Sequence, residues 1–181
     1  MLTTSRRVFS VALLLATAIM SPLAMSQEGS QAGSQGRAAD FSLRAIDGDT
    51  VTSANLRGQV VVLAFGASWL PLSRNQLEGV KKLADDYAGR GVVVYWVSTD
   101  SESPKSKNYA SDDQLRVLAR KYKVTVLRDA DGGVSKKLGV DQLPTVVIID
   151  KQGNVSGGPI GGLDPSANLT AQLSERLKKV L

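Results

Sequence analysis

The chain has 181 residues, 43% of them hydrophobic and 22% charged, which suits one domain built on one buried core. Its net charge of +5 is mild, and basic pairs scattered as Lys81-Lys82, Lys136-Lys137 and Lys178-Lys179 exclude a nucleic-acid footprint. It holds no cysteine and no histidine, which excludes disulfides, thiolate chemistry and any catalysis that needs an imidazole base.

The N-terminus reads as an export signal over residues 1–26. Arg6 and Arg7 precede the apolar stretch Val11 to Met20, then Pro22 and the small-x-small cleavage site Ala24-Met25-Ser26. Ser5-Arg6-Arg7-Val8-Phe9 also follows the start of the twin-arginine pattern, so that route and general secretion both stand. Either leads to a periplasmic or extracellular protein with no stable membrane anchor after cleavage. The other reading, an uncleaved anchor, has a run barely long enough to span and broken by Pro22. Residues 27–38, rich in Gln, Gly and Ser, have no apolar periodicity and read as a flexible linker. The folded domain is expected over residues 39–181.

Phe41-Ser42-Leu43 alternates before the turn Asp47-Gly48-Asp49, so Thr50-Val51 is expected to pair back as a hairpin. Ser53 to Leu56 suits a short helical turn stopped by Gly58. Val60 to Phe65 is a continuous apolar run, the pattern of a strand buried on both faces. From Ser73 to Tyr87, Leu77, Val80, Leu83, Ala84 and Tyr87 recur at helical spacing. A strand is expected over Val92 to Ser98, then a polar loop from Asp100 to Ser111. A second helix follows, capped by Ser111 or Asp112, with Leu115, Val117, Leu118, Lys121 and Tyr122 in its pattern. Val124 to Leu127 reads as a strand, and Val134 to Leu138 as a short helix ending at Gly139. Thr145 to Ile149 is a further buried strand, and the turn Lys151-Gln152-Gly153-Asn154 should return the chain through Val155 as a closing hairpin. Leu169, Leu173, Leu177 and Val180 share one face of a final helix within Ser166 to Leu181.

This order, together with Asp40-Phe41-Ser42-Leu43, Leu56 to Phe65, Ala67-Ser68-Trp69 and Gly139 to Thr145, resembles the TlpA-like thioredoxin family of extracytoplasmic thiol-disulfide oxidoreductases, within the wider redoxin (AhpC/TSA-like) superfamily. The resemblance implies an α/β, thioredoxin-like fold: a central mixed sheet flanked by helices, with an N-terminal β-hairpin extension. It also implies that Trp69-Leu70-Pro71-Leu72-Ser73-Arg74 stands where the family carries Trp-Cys-x-x-Cys-Arg. Leu70 then takes the place of the nucleophilic cysteine and Ser73 that of the resolving one, and neither can exchange electrons with a disulfide. Pro144 matches the family's cis-proline, whose loop faces the redox dipeptide, and Leu143 would offer its backbone to an extended peptide.

Ser73 is expected to satisfy a backbone amide as cap or first-turn residue, since as a nucleophile it lacks a histidine base. Arg74 reads as a solvated helix residue. Trp69, Leu70, Leu72, Leu143 and Pro144 either form an exposed apolar patch, or Leu70 turns inward and plugs a decayed site. Asp129-Ala130-Asp131-Gly132 resembles the opening of a calcium loop without its closing glutamate, so no metal and no cofactor is expected. Two functions follow. One is an exported, redox-inactive module binding an extended peptide or a periplasmic protein through Trp69 to Arg74 and Leu143-Pro144. The other, by resemblance alone, is a thiol-disulfide oxidoreductase or antioxidant.

Overall fold

An unbroken apolar run is stable as a strand only when both of its faces are covered, and Val60–Gly66, strand β3, is buried at every position. The structure is a computed structural model that describes residues 37–164 and 168–181. The stretch read as an export signal, most of the linker and Ser166 lie outside these. β3 is flanked by β4 (Val92–Ser98), which runs parallel to it, and by β6 (Thr145–Ile149), which runs antiparallel. Beyond β4 lies β5 (Thr125–Arg128), also parallel. β1 (Ser42–Ala45) and β2 (Thr50–Thr52) form the expected hairpin, which joins the sheet through antiparallel pairing of β1 with β5. With β7 (Ile160–Gly161) at the far edge, the seven strands run in the order β2-β1-β5-β4-β3-β6-β7. The mixed sheet with a hairpin extension is thus the expected architecture.

Alternate β3 residues feed two cores. Val60, Val62 and Ala64 pack with α1 (Pro71–Asp86), α2 (Asp112–Tyr122) and α4 (Leu169–Lys178) through Leu77, Leu115 and Leu173. Val61, Leu63 and Phe65 pack on the other face with Phe41, Leu43 and Leu138, the last from α3 (Gly133–Leu138). Leu173 and Leu177 of α4 are completely buried, and Asn168 caps that helix by accepting from the Ala171 amide.

Three details depart from the sequence expectations. Val117 is 56% exposed: at about 100° per residue it cannot share a face with Leu115, the one fully buried residue of α2. α1 begins at Pro71 rather than Ser73, because proline's fixed φ suits the first helical turn, where its missing N–H costs nothing. The return through Val155 is a single bridge to Ile149, since the Val155 amide donates instead to the Arg37 carbonyl. Gly157, at φ +71°, Gly158 and Pro159 then interrupt pairing, and the seventh strand forms only at Ile160. Among the described residues, backbone pairing therefore already involves 37 and 38, where Ala38 also bridges Asn154.

The hairpin is fastened by charge. Arg44 of β1 lies directly opposite Arg128 of β5, a like-charge pair that alone would repel. Two carboxylates separate them. Asp112 accepts from Arg44 Nη1 at 2.8 Å and from Arg128 Nη1 at 3.0 Å. Glu102 accepts from Arg44 Nη2 at 2.6 Å and lies 3.2 Å from Arg128 Nε, a charge contact without hydrogen-bond alignment. The Arg44 guanidinium, through its hydrogen bonds to Asp112, holds that carboxyl below the usual aspartate range. Unfolded Asp112 binds its proton near the ordinary value, so its contribution to stability is present above about pH 4 and fades as pH falls. Asp112→Asn should therefore lower the free energy of urea unfolding at neutral pH, with the gap to the native chain narrowing as pH falls below about 4. A gap that stays constant across that range would remove Asp112 from the acid response.

Candidate functional site

The register of the central strands brings the two sequence-predicted stretches together. Phe65 pairs with Thr145, which places Pro144 beside Gly66 at the shared end of β3 and β6. Gly66 opens the turn into α1, so Trp69 to Arg74 and Leu143-Pro144 occupy neighbouring positions at one end of the sheet. The Leu143–Pro144 peptide bond is cis. Neither the Leu143 N–H nor its carbonyl has a hydrogen-bond partner among the described residues.

Close approach explains the glycine. A Cβ at Gly66 would sit 2.9 Å from both Ser73 Cβ and Trp96 Nε1, so any larger residue would push α1 off the strand. The Gly66 carbonyl is fixed by the Thr99 amide at 2.9 Å, tying the end of β3 to the end of β4.

The turn itself is held from below by Asp100, which is completely buried. Its carboxylate accepts from the Ser68 amide at 2.9 Å, from Ser68 Oγ at 2.9 Å and from Ser98 Oγ at 2.7 Å. Asp100 is in turn fixed through its carbonyl, which takes Arg128 Nη2 at 3.2 Å. Arg74 is exposed on α1, as expected, and in addition its Nε donates to the Ser68 carbonyl at 2.6 Å, closing the turn from the helix side. Sequence reasoning placed Asp100 in a polar loop and did not single out Arg128. The one available signal was a charged pair, Arg128-Asp129, directly after the apolar Val126-Leu127.

On this braced turn the side chains divide. Trp69 is 49% and Leu72 50% exposed, while Leu70 and Leu143 are half-buried. Neither reading of the apolar patch holds alone, since Leu70 is partly withdrawn while Trp69 and Leu72 stand out. Ser73 departs from expectation. Leu70 occupies the N-cap position without a side-chain cap, and the Ser73 hydroxyl is fully buried with no hydrogen-bond partner. It satisfies no amide because it lies inside the first turn, packed against Gly66. Pro144, Gln76, Gly79 and Leu169 surround a void of only about 10 Å³, too small for an organic ligand.

The Asp129-Ala130-Asp131-Gly132 stretch is a helix cap. Asp129, 2% exposed, accepts from the amides of Val134 and Ser135 and from the Ser135 hydroxyl, and Asp131 accepts from the Gly133 amide. Among the described residues no group of three or more acidic side chains is placed to hold a metal ion.

The sequence profile of the AhpC/TSA family matches residues 35–157. The thioredoxin-like protein YneN of Bacillus subtilis (strain 168) is 30% identical over 137 residues, 75% of this chain and 72% of that protein. The thiol:disulfide interchange protein DsbE of Pseudomonas fluorescens biotype C is 30% identical over 125 residues, 68% of this chain and 65% of its own. Among solved structures, the exposed lipoprotein thioredoxin of Streptococcus pneumoniae strain TIGR4 superposes with a TM-score of 0.62 at 29% identity, covering 77% of this chain and 99% of its own.

Two substitutions test this geometry. Asp100→Ala leaves the Ser68 amide, the half-buried Ser68 hydroxyl and the buried Ser98 hydroxyl without their acceptor, so urea unfolding should register a loss of about 2 kcal/mol. A loss below about 0.5 kcal/mol would mean that Asp100 does not hold the turn. Ser73→Ala removes a hydroxyl that bonds to nothing, and stability should stay level or rise by about 1 kcal/mol. A clear destabilisation would show that the hydroxyl is satisfied in solution.

Proposed function

This chain belongs to the AhpC/TSA family, and from that premise we propose that it is a redox-inactive member that binds extended peptide or protein segments at the old redox turn. The observation that carries this reading is the exposure of Trp69 and Leu72, at 49% and 50%, on a turn braced by Asp100 and Arg74. Large apolar side chains held out on a rigid support are how interfaces supply contact area at low entropic cost. The unpaired backbone of Leu143, beside the cis-proline, supports the added-strand mode of peptide recognition.

The names of the relatives favour thiol-disulfide exchange, and that is the second reading. The residues oppose it. Exchange needs a thiolate to attack a disulfide sulfur and a second thiol to resolve the mixed disulfide, and the chain has no cysteine. Ser73 cannot replace it, being buried and without a base. Export, with residues 1–26 as a signal, belongs to the same proposal, supported by the similarity to an exposed lipoprotein of Streptococcus pneumoniae. Among the described residues no helix is long and apolar enough to cross a membrane.

The purified chain should give no turnover in an insulin-reduction assay, whereas Leu70→Cys/Ser73→Cys should gain it; turnover by the native chain would sink the redox-inactive reading. Binding is read from fluorescence, since Trp96 is fully buried and Trp69 half exposed. Reduced, carboxymethylated ribonuclease A, a permanently unfolded probe with no tryptophan of its own, should shift the emission to the blue, and the shift should vanish in Trp69→Phe. No shift, together with no co-elution of the two proteins, would rule out the old turn as a peptide site.

A further inference from the structure

Beside the redox turn lies an open groove of about 340 Å³, bounded by Ser68 and Arg74 on one side and by α2 on the other. Its apolar surface comes from Tyr109, Val117 and Leu118. Tyr109 is 39% and Val117 56% exposed, so the valine that leaves the core pattern of α2 contributes to this surface instead. Such a β-branched apolar residue on the solvent side of a helix buries little surface in the core and costs helix propensity.

Two cations, Arg74 and Lys121, line the groove, and no carboxylate does. Neither cation has an acidic partner among the described residues. Arg74 uses its Nε on the Ser68 carbonyl, and the Lys121 ammonium sits 4.9 Å from the centre of the Tyr122 ring. The nearest acids along α2 are already engaged, Asp112 with Arg44 and Arg128 and Asp113 with Arg116. An apolar strip flanked by two unneutralised cations complements a segment that carries carboxylates next to a large apolar side chain.

We propose that this groove binds an extended acidic peptide segment of a partner protein. An apolar side chain lies on Tyr109 and Val117, and a carboxylate of the same segment meets Arg74 and Lys121. The proposal rests on the binding-module reading above and names its ligand class. Ser68 and Arg74 belong to both the groove and the turn, so a segment in the groove lies next to Trp69.

The test is a two-dimensional NMR titration of the full chain with the N-acetylated peptide Ser-Asp-Phe-Asp-Gly and its analogue Ser-Asn-Phe-Asn-Gly. The amides of Tyr109, Val117 and Lys121 should shift with the acidic peptide, and binding should weaken about tenfold in the analogue and in Lys121→Glu. Val117→Ser, on an exposed helix face, should weaken binding without unfolding the domain, and added salt should weaken the native interaction. Equal affinity for the two peptides, or an unchanged Lys121→Glu variant, would overturn the proposal. Shifts confined to Trp69, Leu72 and Leu143 would overturn the groove while leaving the binding-module reading in place. Shifts produced by phosphatidylglycerol vesicles and not by the acidic peptide would assign the groove to a membrane surface instead.

Discussion

The buried guanidinium of Arg128 is the contact on which both the fold and the site depend. A charge with 2% of its side chain exposed needs compensating partners, and Arg128 donates through Nη1 to the Ala110 carbonyl and Asp112 and through Nη2 to the Asp100 carbonyl, while its Nε has only the charge contact with Glu102. These partners sit on different parts of the chain: the end of β4, the loop after it and the start of α2. One side chain therefore ties β5 to three segments and, through Asp112, to Arg44 in the hairpin. From Asp100 the same chain of contacts continues to Ser68 and ends under Trp69. The position of an exposed aromatic ring is set by an arginine that the ring never touches.

Loss of chemistry and retention of scaffold are separable here because they reside in different atoms. Electron exchange with a disulfide needs thiols, and the chain has none. The position of the turn belongs to Gly66, Asp100, Arg74 and the Phe65–Thr145 register. Leu70, half-buried, adds apolar surface to the turn. Serine at position 73 keeps the volume small enough for the close approach to Gly66. The unsatisfied Ser73 hydroxyl follows from that fit, since it is packed against the strand with no acceptor or donor beside it.

What could be read from the chain was what local pattern controls. The runs at Val60 and Thr145 were legible because burial on both faces leaves no polar alternation, and the first hairpin because Asp47-Gly48-Asp49 separates two alternating stretches. α4 was legible from Leu169, Leu173 and Leu177. The Arg128 network was not, because its bonded partners lie 16 to 68 positions apart and only the folded sheet brings them together. Val117 was misassigned for a related reason: hydrophobicity marks a residue as apolar but does not say whether core or open groove lies over it. The closing hairpin expected at Val155 forms there only as a single bridge, because the competing strand-like contact comes from Arg37 and Ala38, in a stretch whose composition gives no sign of pairing.

The edges of the sheet bear on the company this protein can keep. β7 contributes two residues, the second a glycine, and Pro159 before it has no N–H to offer a neighbour; β2 at the opposite edge is three residues long. Edges this short and interrupted resist the side-by-side stacking of sheets that drives aggregation. The main-chain groups of Leu143 that lack a partner among the described residues lie in a loop rather than along an edge. Open backbone and sheet edge are thereby kept apart, so exposed main-chain groups need not invite edge-to-edge pairing between copies.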